Sequence, residues 1–547
     1  MPDALLSATL RGVNTGRARH TGLRTLFGTW LLANTAVWSF TLALGVHAYV
    51  VAGPGAVGLV AAARLLPGAL AAPLAGRLVD RADRSRLAAL AAGGQATCLG
   101  LIAGAIALEA PLALIAVLAA AWSCGLRVLR PALQAMLPTL AQSTRELARA
   151  SAHWSATDSS GFLLAMAGAG AGLAAYGPAP VVAVAAVLSG IAGACALRLP
   201  AVPPIPPEET AEPESPLAAA LGGLRAIRTE RALRAPLGML AALLLLEGTS
   251  EVQLVVLAID DLGMGEGGPG LLNVGFGVGG LIASVLLLVL LRRRGYGLAL
   301  LVGALVFAAG LVLVGRGGAA VAIAALVPMG IGFSLVQTGA MAVVPRLADD
   351  AVMGRVYALF EVLNAGAAGV GSLLAPLLVE LLGARNGLAV TGVGFALATM
   401  LARRSLANLD AGQEQADRIR ALLRGLPATA PLPLPMLERL VRGVRPVSAR
   451  RGEVLMTAGE PGEDFMIIES GHVEIVEYQR VIGPGDGFGE IALLRDVPRT
   501  ATVRALDDVH LWALGRRTFL AAVTGWPDAR RAADDVVEGY LQRPAPS

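Results

Sequence analysis

The chain contains no lysine, so its 44 basic residues are all arginine. It also has little charge (15%), few aromatic residues (4%) and three cysteines in 547 residues. A soluble chain carries about 25% charge. That shortage excludes a soluble enzyme and a disordered protein. Cys98, Cys124 and Cys195 lie in apolar runs without metal-ligand spacing. They read as small buried apolar residues, and neither a disulfide framework nor a metal site is expected. A net charge of +4 with no basic stripe argues against nucleic acid as a partner. Residues 1–23 lack a short apolar core followed by a small-residue cleavage site, so no removable signal peptide is expected.

Apolar residues are abundant, at 55% of the chain, and they are unevenly spread. Residues 432–547 hold 17 of the 40 acidic residues, leaving 23 for the first 431. An apolar body therefore carries a normally charged tail, which predicts two domains in two solvents.

A helix needs about 20 apolar residues to cross a bilayer. Runs of that kind fall near 25–50, 54–76, 87–108, 111–137, 153–176 and 178–198. A second set follows near 235–260, 268–291, 296–315, 318–345, 356–382 and 386–403. The expected fold is therefore an α-helical polytopic membrane protein, with twelve transmembrane helices in two six-helix halves. Between the halves, 199–216 is rich in Pro and Glu and reads as a linker, and 217–234 reads as an amphipathic cytoplasmic helix. Arginine clusters recur in alternate connections, as at Arg77 to Arg86, Arg225 to Arg234 and Arg292 to Arg294. By the positive-inside rule both termini are expected in the cytoplasm, with the body in the plasma membrane.

Ionisable residues inside spans are costly and are functional candidates. Glu247 and Glu251 share one face of span 7 at i, i+4 spacing. Two carboxylates this close in low dielectric suit a proton carrier. Asp158 in span 5, Glu361 in span 11 and Arg127 in span 4 are further candidates for transport or proton coupling.

Between spans 2 and 3 the chain reads Gly76-Arg77-Leu78-Val79-Asp80-Arg81-Ala82-Asp83-Arg84-Ser85-Arg86. This resembles the cytoplasmic loop motif of the major facilitator superfamily. Gly76 permits a close helix crossing. Asp80, with Arg81 and Arg84 following, is expected to pair with an arginine or cap a helix across the interface between halves, as a conformational latch. Arg130-Pro131-Ala132-Leu133-Gln134-Ala135-Met136-Leu137-Pro138 and Met353-Gly354-Arg355-Val356 resemble the efflux-type branch of that superfamily. The resemblance covers about 24–403. It implies alternating access, export and a small-molecule substrate, here an amphipathic or hydrophobic compound. A lipid or lysophospholipid is the alternative cargo.

From about 405 the composition becomes that of a soluble domain. Residues 405–430 read as a connecting helix and linker, and 431–547 as short apolar runs punctuated by Gly, a β-roll of jelly-roll type with flanking helices. One segment carries chemistry: Gly485-Asp486-Gly487-Phe488-Gly489-Glu490-Ile491-Ala492, then Arg499-Thr500-Ala501. A Gly-rich turn opens a short helix, and Arg499 returns opposite it with a fork of donors suited to an anion. The segment resembles the phosphate-binding cassette of cyclic nucleotide-binding domains. By that resemblance Glu490 holds the ribose 2′-hydroxyl. Arg499 holds the cyclic phosphate with the backbone of Gly489 and Ala492, and Phe488 and Ile491 complete the cassette. Thr500 and Ala501 line the pocket beside phosphate and base. A hydroxyl at Thr500 leaves both cAMP and cGMP open as regulatory ligand, with cAMP favoured. The last helix, about 528–542, is expected to be the lid.

The expected domain plan is 1–198, 199–234, 235–404, 405–430 and 431–547. The leading reading is a secondary active transporter, proton-coupled and tuned by cyclic nucleotide. A non-transporting, membrane-anchored nucleotide sensor is the alternative. The layout argues against a channel, and with no catalytic constellation an enzyme is not expected. Substrate and oligomeric state are not written in the sequence.

Overall fold

The structure is a computed structural model that describes residues 2–141, 144–200, 231–293, 295–347 and 350–541. Two sequence features, the Pro/Glu linker and most of the amphipathic helix after it, lie outside these described residues. So do the side chains of Gly76, Arg77, Asp80, Arg145, Arg292 to Arg294, Arg346, Arg355 and Glu361. The chain forms two compact units, Met1–Leu409 and Asp410–Ser547.

Among its described residues the first unit forms helices and no strand. In chain order it contains α1 (Pro2–Arg81), α2 (Arg84–Ala107), α3 (Leu112–Gln134), α4 (Leu137–Leu140), α5 (Thr144–Tyr176) and α6 (Pro178–Ala196). After the linker come α7 (Arg231–Val256) with a π-turn (Leu257–Asp261), α8 (Gly268–Arg293), α9 (Tyr296–Val314) and α10 (Ala319–Leu347). The last helix of this set is α11 (Asp350–Gly425). Among the described residues, nine helices are long and apolar enough to cross a membrane. Two of these runs, Gly22–Ala71 and Val362–Gly425, exceed one crossing. Each is broken by a glycine with positive φ, Gly53 (φ 72°) and Gly383 (φ 76°). Gly268–Ala283 is a shorter apolar helix. Most exposed large side chains of the unit are aliphatic, such as Leu70, Leu90, Val187 and Leu401, as a lipid-facing surface requires. The helices meet at small residues. Gly279 of α8 lies so close to α10 that an added Cβ would stand 2.0 Å from the Val327 carbonyl oxygen. Lipid gives helices no hydrophobic reason to associate, so close backbone approach supplies the packing.

The second unit begins with the end of α11. It continues with α12 (Leu434–Gly443), β1 (Val444–Ala449), β2 (Val454–Met456), β3 (Asp464–Ser470), β4 (Val473–Ile475) and β5 (Arg480–Ile482). Then follow β6 (Gly487–Phe488), α13 (Glu490–Arg495), β7 (Val503–Ala505), β8 (Val509–Gly515), α14 (Arg516–Thr524) and α15 (Pro527–Leu541). Two antiparallel four-stranded sheets form, ordered β1-β8-β3-β6 and β2-β7-β4-β5. Strand β3 shows why its sequence, DFMIIES, is apolar without a break. Met466 and Ile468 join an apolar cluster shared with the second sheet, while Phe465 and Ile467 join one shared with the helices. Side chains alternate across a strand, so a strand covered on both faces is apolar throughout. Phe465 stacks on Phe519 of α14 at 4.6 Å, which ties that helix to the sheet.

Candidate functional site

The soluble unit positions one arginine with unusual care. The Arg499 backbone N–H donates to the Glu460 carbonyl, and its own carbonyl accepts from the Gly459 N–H. Its guanidinium, on a residue only 8% exposed, donates to the carbonyl oxygens of Gly489 (3.0 Å) and Asp464 (2.7 Å). The Asp464 carboxylate is itself held by Arg445. Gly489 opens α13 in the left-handed region, at φ 95°, where glycine is strongly favoured.

Glu490, the first residue of α13, is 7% exposed, and its Oε2 is buried without a hydrogen-bond partner among the described residues. An unsatisfied buried carboxylate oxygen is costly and fits a missing donor such as a ligand hydroxyl. Burial pushes the Glu490 carboxyl up to about 7, against the opposing pull of Arg480 and Arg499. Burial also lowers the Arg499 guanidinium from its ordinary value, while Asp464 and Glu490 act to raise it. Phe488 and Ala492 are buried, Ile491 and Ala501 half-buried, and Thr500 exposed. The structure thus gathers Gly489, Glu490 and Arg499 into one cluster. Asp464 and Gly462 also belong to it: a Cβ at Gly462 would stand 2.8 Å from the Ala492 Cβ and 3.4 Å from Arg499 Nη1. In the sequence both fall in Gly459-Glu460-Pro461-Gly462-Glu463-Asp464-Phe465, which also resembles cyclic nucleotide-binding domains, but backbone carbonyls and empty space leave no signature that gives either residue its role.

In the membrane unit an ion pair was missed by sequence reasoning. Arg64 of α1, 8% exposed, donates from Nη2 to both carboxylate oxygens of Glu251, at 3.0 and 3.4 Å. Arg64 lies 11 residues past Gly53, and Glu251 lies 10 before Asp261. At ~1.5 Å per residue each sits about 15 Å along its helix from that end. Glu247 lies one turn back on the same helix, and Glu251 and Arg64 are the charges that act on it. Arg64 was visible as a lone arginine in the run VAAARLLPG.

The other candidates fall elsewhere. Asp158 pairs with Arg130 (3.3 Å) and accepts from Trp30 Nε1 (3.2 Å), a half-exposed cluster within the first six helices. Arg127 lies beside Gly68, whose added Cβ would stand 3.2 Å from its Nε. Glu361 lies outside the described side chains.

The loop motif is described only in part, and the partner expected of Asp80 lies outside the described side chains. Arg84 is 5% exposed and donates to the Ala135 carbonyl at the end of α3 (3.0 Å), so it binds within the first six helices and does not reach across the halves. The cap of α2 is Asp83, whose Oδ1 accepts from the N–H groups of Ser85 and Arg86. That placement suits an acid one residue before the helix. Arg81 is exposed, and the side chains of Gly76 and Asp80 are outside the described residues. Among the described residues no group of three or more His, Cys, Asp or Glu is arranged to hold a metal.

The family model for the major facilitator superfamily matches residues 25–372 and again 254–451. The chain belongs to the major facilitator superfamily. It is a multi-pass membrane protein whose tail, at residues 446–524, matches the cyclic nucleotide-binding domain model. This superfamily member therefore pairs a transporter body, which implies a small-molecule substrate, with a domain that implies a cyclic nucleotide ligand. Two solved structures share the fold of the body. The nucleoside transporter NupG aligns over 70% of this chain and 98% of its own, with 13% identity and a TM-score of 0.57. A POT family transporter in complex with 5-aminolevulinic acid aligns over 71% and 96%, with 15% identity and a TM-score of 0.56. Curated relatives match short stretches. Acetyltransferase Pat of Mycolicibacterium smegmatis is 44% identical over 90 residues, 15% of this chain and 27% of the relative. The cAMP-dependent protein kinase regulatory subunit of Candida albicans is 44% identical over 75 residues, 13% of this chain and 16% of the relative. The chain thus spans about a quarter or less of these curated relatives.

One substitution tests the cluster. At Gly489 an added Cβ would stand 2.7 Å from Arg499 Nη1 and 3.1 Å from the Asp464 carbonyl oxygen, at a φ that L residues avoid. Gly489→Ala is expected to displace the guanidinium and weaken cyclic nucleotide binding about tenfold or more. Calorimetry with cAMP on the full-length protein checks it.

Proposed function

We propose that the protein is a secondary active transporter, a proton-coupled exporter of a small amphipathic or hydrophobic compound, regulated by cyclic nucleotide at its tail. The observation that carries this reading is the Arg64–Glu251 pair with Glu247 beside it. It joins the first and second sets of helices within their apolar spans, where a charge is retained for function. Twelve crossings in two halves of six belong to the same proposal. Counting each glycine-broken run twice and adding Gly268–Ala283 supports that number. The plasma membrane, cytoplasmic termini, alternating access, the five-part domain plan and the lack of a catalytic activity complete it.

In the tail, Glu490 takes the ribose hydroxyl and Arg499 the cyclic phosphate. The Gly489 and Ala492 backbone, Phe488 and Ile491 complete the cassette, and Thr500 and Ala501 lie beside it. The match to cAMP-dependent kinase regulatory subunits favours cAMP over cGMP. Nucleotide regulates only by binding one transport conformation better than the other.

Coupling is tested by transport at varied pH in proteoliposomes. Glu247→Gln is expected to remove its pH dependence, and Glu251→Gln, which strands the buried charge of Arg64, to lower the transport rate; if both leave pH-dependent transport intact, the proton-coupled reading is wrong. The tail has its own pH signature. Glu490 carries a proton below about pH 7 in the free protein. The ribose hydroxyl donates to the ionised form, so binding must expel that proton at lower pH. Affinity for cAMP is expected to fall up to about tenfold per unit below that value and to level off above it. Glu490→Gln should flatten the profile. Calorimetry across that range checks both statements.

A further inference from the structure

Glu247 and Glu251 look equivalent in the sequence, one turn apart on one helix face. In the structure they are not. Glu251 is the direct partner of Arg64, whose Nη2 lies within 3.4 Å of both its carboxylate oxygens. A guanidinium keeps its charge at any physiological pH. Buried to this degree it requires a permanent anion, and stripping that anion away leaves an uncompensated charge in low dielectric. Glu247 has no such bond to Arg64. It lies within the influence of one like charge and one opposite charge, from Glu251 and Arg64.

The elements packed against α7 add few other charges. Helices α8, α9 and α10 carry Arg292, Arg293, Tyr296 and Arg346 at their ends and no ionisable side chain between. The π-turn acids are engaged elsewhere, Asp260 by Tyr49 and Asp261 by Arg385. Arg127 stands beside Gly68, one turn along α1 from Arg64. Of the acids in α11, the side chain of Glu361 lies outside the described residues.

We propose that Arg64 divides the labour between the two acids: it holds Glu251 as a fixed counter-ion and leaves Glu247 as the carboxylate that takes up and releases the proton. Arg64 is then a positioning residue. It sets which oxygen the proton reaches, moving it between water and Glu247 with no other bond made or broken. The inference rests on the proton-coupled reading above for its purpose, though not for its test.

The test needs no substrate. Infrared difference spectra of the full-length protein, in a detergent without carbonyl groups, report the carboxyl band of a protonated acid. Wild type minus variant at each pH cancels Glu490 and every other shared group. Between about pH 5 and 9, a protonated carboxyl is expected in wild type and absent in Glu247→Gln; in Glu251→Gln, where Glu247 is left as the nearby anion for Arg64, the band should persist only at the lower end of that range. Arg64→Gln should gain a second one, from Glu251 freed of its cation. If Glu251→Gln fails to fold, Arg64→Gln/Glu251→Gln removes both charges together and should keep the Glu247 band. Loss of the band in Glu251→Gln with retention in Glu247→Gln overturns the assignment. So does a band unchanged by both, or none in wild type. Loss in Glu247→Gln beside transport that ignores pH supports the assignment and overturns coupled transport.

Discussion

Arg499→Ala is expected to weaken cAMP binding by about 100- to 10,000-fold. Hydrogen bonds to charged groups contribute roughly 1.5–3 kcal/mol each, and a guanidinium grips a phosphate with two. The loss goes beyond the ligand. Arg499 also bridges the carbonyl oxygens of Gly489 and Asp464, which join the cassette to β3. Alanine leaves both acceptors unsatisfied. Arg499→Lys keeps the charge but not the fork, so it should recover only part of the affinity. Calorimetry on the full-length protein separates the three. A variant that keeps wild-type affinity would remove Arg499 from the site.

The second large effect is expected in the membrane unit. A Cβ on Gly248 of α7 would stand 1.9 Å from the Ala368 carbonyl oxygen of α11, and one on Gly371 would stand 1.9 Å from the Leu245 carbonyl oxygen. A carbon and a carbonyl oxygen settle at about 3.3–3.6 Å, so either side chain forces the helices apart. That separation also breaks two hydroxyl bonds, Thr249 to the Gly371 carbonyl and Ser372 to the Gly248 carbonyl, both 3.2 Å. Overpacking alone costs about 1–3 kcal/mol, and here backbone rather than a flexible side chain must yield. Gly248→Val and Gly371→Val should therefore give little folded protein. Gly104→Ala should be neutral, because its added carbon meets nothing within 4 Å. Size-exclusion profiles and thermal melts in detergent check the contrast.

Much of this was legible in the residues, for physical reasons that also mark where legibility ended. A run of twenty apolar residues has one stable environment, so the spans could be read directly. The turn was legible because it needs a glycine at 489, which the structure places in the left-handed region, and Arg499 stood out as the arginine that returns opposite it. Pairing was not legible. Nothing in the neighbourhood of Arg64 says that Glu251, 187 positions away, meets it. Asp80 and Asp83 differ by three residues, and only the helix start shows that Asp83 is the cap. Strands β1 and β8 carry weak local signals, because VRPVSA includes Pro446 and VHLWALG has no glycine turn before it. They are strands because each pairs along its length, Val444 with Leu514 through Ala449 with Val509. Tertiary pairing overrode local preference.

Regulation of the membrane unit by the tail is tested most directly by hydrogen exchange on the full-length protein in nanodiscs, with and without saturating cAMP. Altered exchange in the membrane helices is predicted, α7 and α1 among them, and its disappearance in Arg499→Ala. Full occupancy of the tail by cAMP with unchanged exchange throughout residues 22–409 would contradict it.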